Sequence, residues 1–181
     1  MDPAHERNTT LAILRAAATP LEQSLNIRLI PAEGISFGFA IRGARDTGGV
    51  AVVNGGIKNS TDGRAAAAGP CAFGTDDPVA RIILTAMKFD PVMRSAALLQ
   101  FSDRACAVFK NNLFLECALL DMGLKNQGIS TIDWGIASCC KEGIPDVIIK
   151  KGTSTKESRI ILFGESPADV ANNIIICSNR I

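Results

Sequence analysis

Asp77-Pro78-Val79-Ala80-Arg81-Ile82-Ile83-Leu84-Thr85-Ala86-Met87-Lys88 is followed, after a turn, by Ala96-Ala97-Leu98-Leu99-Gln100-Phe101. This pair of segments decides the fold. The first repeats its apolar residues at helical spacing behind an aspartate and a proline, the residues that open helices. The second is a short apolar run of the kind buried in a sheet. Ser102 then caps a further helix from Asp103 to about Asn111. A helix, a strand and a helix in succession point to layered α/β architecture.

The same alternation extends outward. Leu11, Leu14, Ala18, Leu21 and Leu25 give a helix over Thr9–Leu25, capped by Asn8 or Thr9, with Pro20 expected to kink or restart it. Ile27–Ile30, Ser36–Ile41 and Val50–Val53 read as strands, with Pro31 and Gly34 marking a turn. Asn54–Gly74 is glycine- and alanine-rich with little periodicity, and such a segment in a compact domain is usually functional or disordered. Leu113–Leu119 reads as a strand and Thr131–Lys141 as a helix. Val147–Ile149 and Arg159–Phe163 are strands, and Pro167 opens a last helix. The expected fold is a single α/β layered domain over residues 9–181, a mixed sheet flanked by helices, behind a flexible tail of residues 1–8.

The 181 residues suffice for one domain with a substantial core. Aromatics make up 5%, so that core must be built from aliphatic side chains. A formal net charge of +1, with no basic stripe, argues against direct nucleic-acid binding. No run approaches the roughly 20 apolar residues that span a bilayer, and the polar start is unlike a signal peptide. A cytoplasmic location is expected. The six cysteines show no C-x-x-C spacing, which suits reduced packing residues better than zinc ligands. The one histidine, His5, falls in the expected tail, which removes histidine triads and histidine metal sites from the folded body.

Three segments have the composition of anion sites. Gly74-Thr75-Asp76-Asp77-Pro78-Val79-Ala80-Arg81 leads a glycine into a helix start, where free N–H groups and the helix dipole attract anions. Equally, Asp76 and Asp77 can simply cap that helix. Two carboxylates repel a bare phosphate, but they can hold a magnesium ion that carries one. Gly152-Thr153-Ser154-Thr155-Lys156-Glu157-Ser158-Arg159 puts hydroxyls and cations in one turn, either a phosphate site or a solvated hairpin loop. Asn54-Gly55-Gly56-Ile57-Lys58-Asn59 has the composition of a phosphate cradle without P-loop spacing.

These residues resemble a known family. Gly74–Pro91, then Met93-Arg94-Ser95-Ala96-Ala97, is similar to the ThiN-type thiamine-phosphate synthase domain of archaea. So are Leu29-Ile30-Pro31-Ala32-Glu33-Gly34, Asp133-Trp134-Gly135, and Gly143-Ile144-Pro145-Asp146-Val147-Ile148 with the Gly152–Glu157 turn. The resemblance spans about Thr9–Ile176. It implies a domain that joins hydroxymethylpyrimidine diphosphate to thiazole phosphate with release of pyrophosphate, or a regulatory member that binds thiamine phosphate and acts in transcription regulation. Where the family pattern carries histidines, this chain has Pro78 and Phe89, so the resemblance favours ligand sensing with impaired catalysis. The catalytic candidates it leaves are Arg64 and Arg81. The expected phosphate contacts are Gly74, Thr75, Asp76, Asp77, Arg81, Arg94, Gly152, Ser154 and Lys156. Magnesium is expected only with a phosphorylated ligand, at Asp76 and Asp77, with no tightly bound cofactor. The expected partner is a phosphorylated small molecule of the thiamine pathway, and a homodimer is plausible.

Overall fold

The computed structural model describes residues 2–121 and 132–181; the start of the expected Thr131–Lys141 helix and the Asp133 side chain lie outside the description. Helix α1 (Pro3–Ser24) comes first, then strands β1 (Ser36–Ala40), β2 (Val50–Val53), β3 (Ile57–Asn59), β4 (Ala65–Ala67) and β5 (Cys71–Phe73). Helix α2 (Pro78–Phe89), β6 (Ser95–Gln100), α3 (Asp103–Ala107) and β7 (Cys117–Asp121) follow. The chain closes with α4 (Ile132–Cys139), β8 (Val147–Lys151), β9 (Arg159–Gly164) and α5 (Pro167–Ser178).

Seven strands form one sheet in the order β5-β2-β1-β6-β9-β8-β7. Every pairing in it is antiparallel except β7 with β8, which run parallel across the α4 connection. Side chains alternate between faces, as strand geometry requires. Phe37, Phe39, Ala97, Leu99, Ile160 and Leu162 pack under α1 and α5. Ala40, Val52, Leu98, Ile161 and Phe163 pack under α2 and α4. The result is three layers, helices over both faces of a mixed sheet, as the alternation predicts. Gly38 permits close packing of α2: a Cβ there would lie 3.1 Å from both the Ala51 carbonyl oxygen and Ile83 Cδ1.

Four segments depart from the sequence reading. Helix α1 starts at Pro3, not Thr9, and residues 3–8 are helix rather than flexible tail. Asp2 caps it through the Ala4 N–H, Arg7 donates to the Gly48 carbonyl at 2.8 Å, and the Arg7 guanidinium lies 4.0 Å from the Phe73 ring centre. The helix runs unbroken through Pro20. Ile27–Leu29 is a 3₁₀ turn rather than a strand, because the Asn26 side chain accepts from Arg28 N. Asn54–Gly74 holds three short strands joined by turns: Gly55 and Gly56, at φ 80° and 79°, make the turn that a residue with a side chain resists, and β3 and β4 pair as a separate hairpin. Strand β7 starts later than the apolar run, after a wide π turn over Val108–Asn112 and Phe114 at φ 54°.

Antiparallel pairing gives the sheet two rims. One carries the end of β1, the start of β6, the end of β5 and the end of β9. The other carries the start of β1, the end of β6, the end of β8 and the start of β9.

Candidate functional site

The expected site residues divide between those rims. Gly74, Thr75, Asp76, Asp77 and Arg94 stand on the first. Gly152, Ser154 and Lys156 stand on the second, where the exposed Arg64 also lies, in the β3–β4 turn.

At the start of α2, Gly74 takes φ 79° and donates to the Thr47 carbonyl at 3.1 Å. Asp77 is the helix cap, its Oδ1 accepting from Val79 N at 2.9 Å. Asp76 forms an exposed ion pair with Arg81 at 3.9 Å, with side-chain exposures of 91% and 59%. At that exposure the pair contributes little stability. The helix start is thus satisfied by its own carboxylate. Asp77 is committed to the cap, which leaves Asp76 as the carboxylate facing a cation. Among the described residues no group of three or more histidine, cysteine or acidic side chains comes together to hold a metal. This donor set does not fit a resident magnesium ion.

The second-rim loop is knitted to itself. Gly152 N donates to Ser158 Oγ, which donates to the Ser154 carbonyl, and the Thr153 hydroxyl donates to Glu157. Arg159 makes two bonds to Glu33 at 2.8 Å and one to the Lys156 carbonyl at 2.7 Å. Burial acts to raise the Glu33 pKa, but the Arg159 bonds and charge hold it below the usual range. Ser154 and Lys156 remain exposed, Ser154 on the wall of a polar cleft, while the loop's arginine is spent on structure. Arg64 stands on the hairpin turn that Asp62 closes, accepting from Arg64 N at 3.0 Å.

Arg94 is placed differently. Its Nε donates to the Ala40 carbonyl at 3.0 Å, and its guanidinium lies 4.5 Å from the centre of the Phe39 ring. Partial burial lowers its pKa, and the neighbouring Arg42 lowers it further, against the opposing pull of Glu6. These side chains line a cleft of about 160 Å³ together with His5, Thr9, Thr10 and Ile13 of α1. The Glu6 carboxylate accepts the backbone N–H of Arg42 at 3.0 Å, which ties the loop after β1 to the first turn of α1. The Arg94 Nη groups and the Arg42 guanidinium make no hydrogen bond among the described residues. Two cations and an imidazole therefore face one cleft with one carboxylate between them. That electrostatic imbalance is what an anionic ligand relieves.

Of this cleft, sequence reading found Arg94 alone. Arg42 and Phe39 lie on a loop and strand with no motif. His5 belongs to helix α1 rather than to a mobile tail, and its approach to Arg42 is tertiary. The cysteines are free. Burial pushes the Cys106 and Cys140 thiols to about 11 and Cys177 to about 12, leaving them as packing residues rather than nucleophiles.

A seven-stranded mixed sheet between helix layers, with an arginine cleft at one rim, defines a class of α/β domain. The family model for thiamine-phosphate synthase ThiN matches residues 13–176, and the chain belongs to that family. It is 26% identical over 156 residues to the bifunctional thiamine biosynthesis protein ThiDN of Methanocaldococcus jannaschii. The match covers 85% of this chain and 37% of that protein, so the chain spans little more than a third of its curated relative. Among solved structures, it is similar to the C-terminal domain of a phosphomethylpyrimidine kinase, with TM-score 0.85, 29% identity and coverage of 95% of this chain and all of that one. It also resembles the C-terminal domain of an M. jannaschii protein, with TM-score 0.84, 25% identity and coverage of 95% and 94%. The L-fuculose-1-phosphate aldolase of Thermus thermophilus shares the fold alone, at TM-score 0.53 and 12% identity over 96% of this chain and 92% of that one. No helix among the described residues is long and apolar enough to cross a membrane.

Proposed function

We propose that this domain binds thiamine phosphate, or one of its phosphorylated pyrimidine or thiazole precursors, as a ligand-sensing module with impaired synthase chemistry. The observation that carries the reading is the pair of guanidiniums, Arg94 and Arg42, facing one cleft with a single carboxylate whose oxygen is already engaged. A phosphate dianion supplies the missing negative charge and accepts the unspent N–H groups. Membership of a thiamine-phosphate synthase family gives the ligand its chemical class. Helix α2 supports the impaired chemistry in this reading. Where the family pattern carries histidines, this helix starts at Pro78 and ends at Phe89, and neither moves a proton. Magnesium enters only with a phosphorylated ligand, and the exposed Asp76 carboxylate, paired with Arg81, is the side chain at the α2 start that would meet it.

A second reading, an active synthase, is favoured by one observation: His5 lines the same cleft as Arg94. An imidazole there offers a proton relay from a different element of the fold. Incubation with both phosphorylated precursors and magnesium separates the readings. Formation of thiamine phosphate and pyrophosphate establishes the synthase and removes the sensor. Absence of turnover, with calorimetric binding of thiamine phosphate, establishes the sensor. Failure of every thiamine-pathway ligand to bind removes both.

A further inference from the structure

One row of side chains crosses the sheet at its second rim, on the face that α2 and α4 cover. Gln100 of β6 stands opposite Arg159 of β9, Arg159 opposite Lys150 of β8, and Lys150 opposite Leu120 of β7. The Arg94 cleft uses none of them.

Like charges directly opposite on paired strands repel, and here Arg159 is fixed in place. It makes two bonds to Glu33 and also donates to Gln100 Oε1 and to the Lys156 and Ser158 carbonyls. Both Glu33 oxygens are taken up by Arg159, so no carboxylate holds Lys150. The Lys150 ammonium makes no hydrogen bond or ion pair among the described residues. Its side chain is half-buried, whereas Lys58, Lys88, Lys110, Lys141, Lys151 and Lys156 are exposed. Burial lowers the Lys150 pKa, the Arg159 charge lowers it further, and Glu33 pulls the other way. Leu120, on the opposite side, adds no charge. A lysine desolvated beside another cation keeps more of its amine neutral, and the neutral amine is the nucleophile.

We propose that Lys150 is a site of acylation by small acyl phosphates. The Nζ lone pair attacks the acyl carbonyl carbon, an N–C bond forms, and the C–O bond to phosphate breaks. Phosphate leaves with that electron pair, and the amine proton passes to water. The amide product keeps one N–H donor and loses the charge that faces Arg159. Acylation therefore relieves the repulsion that makes the amine reactive. Lys150 stands on the rim away from Arg94, so the site does not depend on the ligand-binding reading above.

Acetyl phosphate is incubated with the full chain near neutral pH, and acetylation at each lysine is followed by mass spectrometry. A protease that cuts after acidic residues leaves Lys150 and Lys151 on one peptide, where fragmentation tells them apart. Lys150 should acetylate at least about 3-fold faster than its exposed neighbour Lys151. That advantage should vanish in urea, and it should close at strongly alkaline pH, where exposed amines are neutral as well. Glu33→Gln removes the opposing charge and should speed Lys150. Arg159→Gln removes the repulsion, frees Glu33 to pair with Lys150, and should slow it. Urea unfolding confirms that each variant is folded before its rate is read, and the rates in the unaltered chain decide the matter without them. A Lys150 rate no greater than that of Lys151 in the folded chain overturns the proposal. So does an advantage that survives in urea, or a pair of folded variants that shift the rate in the same direction.

Discussion

Arg94→Met separates a binding arginine from a structural one. The guanidinium gives one hydrogen bond to the Ala40 carbonyl and lies over Phe39. A charge-assisted bond contributes about 1.5–3 kcal/mol, and a cation–π contact at a partly exposed site about 0.5–1 kcal/mol. Opposing them are the partial burial of the charge and its repulsion by Arg42, which together lower the Arg94 pKa. Methionine keeps an apolar stem against Phe39 and sheds that repulsion. The expected net loss of stability is about 1–2 kcal/mol, read from urea unfolding. Binding has no such compensation: a phosphate loses its charged donors, and affinity for thiamine phosphate should fall about 10- to 150-fold by calorimetry, the equivalent of 1.5–3 kcal/mol. An unchanged dissociation constant with a stability loss near 3 kcal/mol refutes the reasoning and makes Arg94 a pin between β1 and β6.

Other perturbations follow from the same geometry. Arg81→Ala should change unfolding free energy by less than about 0.5 kcal/mol, because its ion pair with Asp76 is exposed. Gly38→Ala should cost about 1–3 kcal/mol in thermal or urea unfolding, since the new methyl meets Ala51, Ile83 and Val79 within 3.2 Å. The Glu33 pKa is lowered in the folded state, so its contribution is full at neutral pH and fades as the solution is acidified below about pH 4.3. Arg159→Ala should flatten that acid limb and leave the alkaline side unchanged, as a series of urea titrations from pH 3 to 8 would show. Cys106, Cys140 and Cys177, with thiols at about 11, 11 and 12, should resist a thiol reagent at pH 8 until the chain unfolds.

The elements whose signals are local were legible in the sequence. Asp77 with Pro78, and Pro167, mark the starts of α2 and α5, because a helix start needs only its own next turn. Strands β2, β6 and β9 appear as apolar runs because both of their faces are buried. What escaped was set by partners distant in sequence. The first turn of α1 is polar and resembles a tail until Arg7 meets Gly48 and Glu6 meets Arg42. Four hydroxyls and two cations in the Gly152–Arg159 turn look like an anion site, yet Glu33, distant in sequence, takes the arginine. The candidate phosphate contacts fall at Gly74–Arg81, at Arg94 and at Gly152–Lys156, and only strand pairing shows that the last group stands on the opposite rim from Gly74 and Arg94.

That opposition has a practical consequence. The exposed β3–β4 turn around Gly63, where an added Cβ meets nothing within 4 Å, projects from the rim away from Arg94. A fluorophore, an epitope or a surface tether placed there leaves the cleft facing open solution, so immobilised protein should retain its full ligand capacity. Attachment at Asp2, three residues before His5, would instead crowd the cleft mouth.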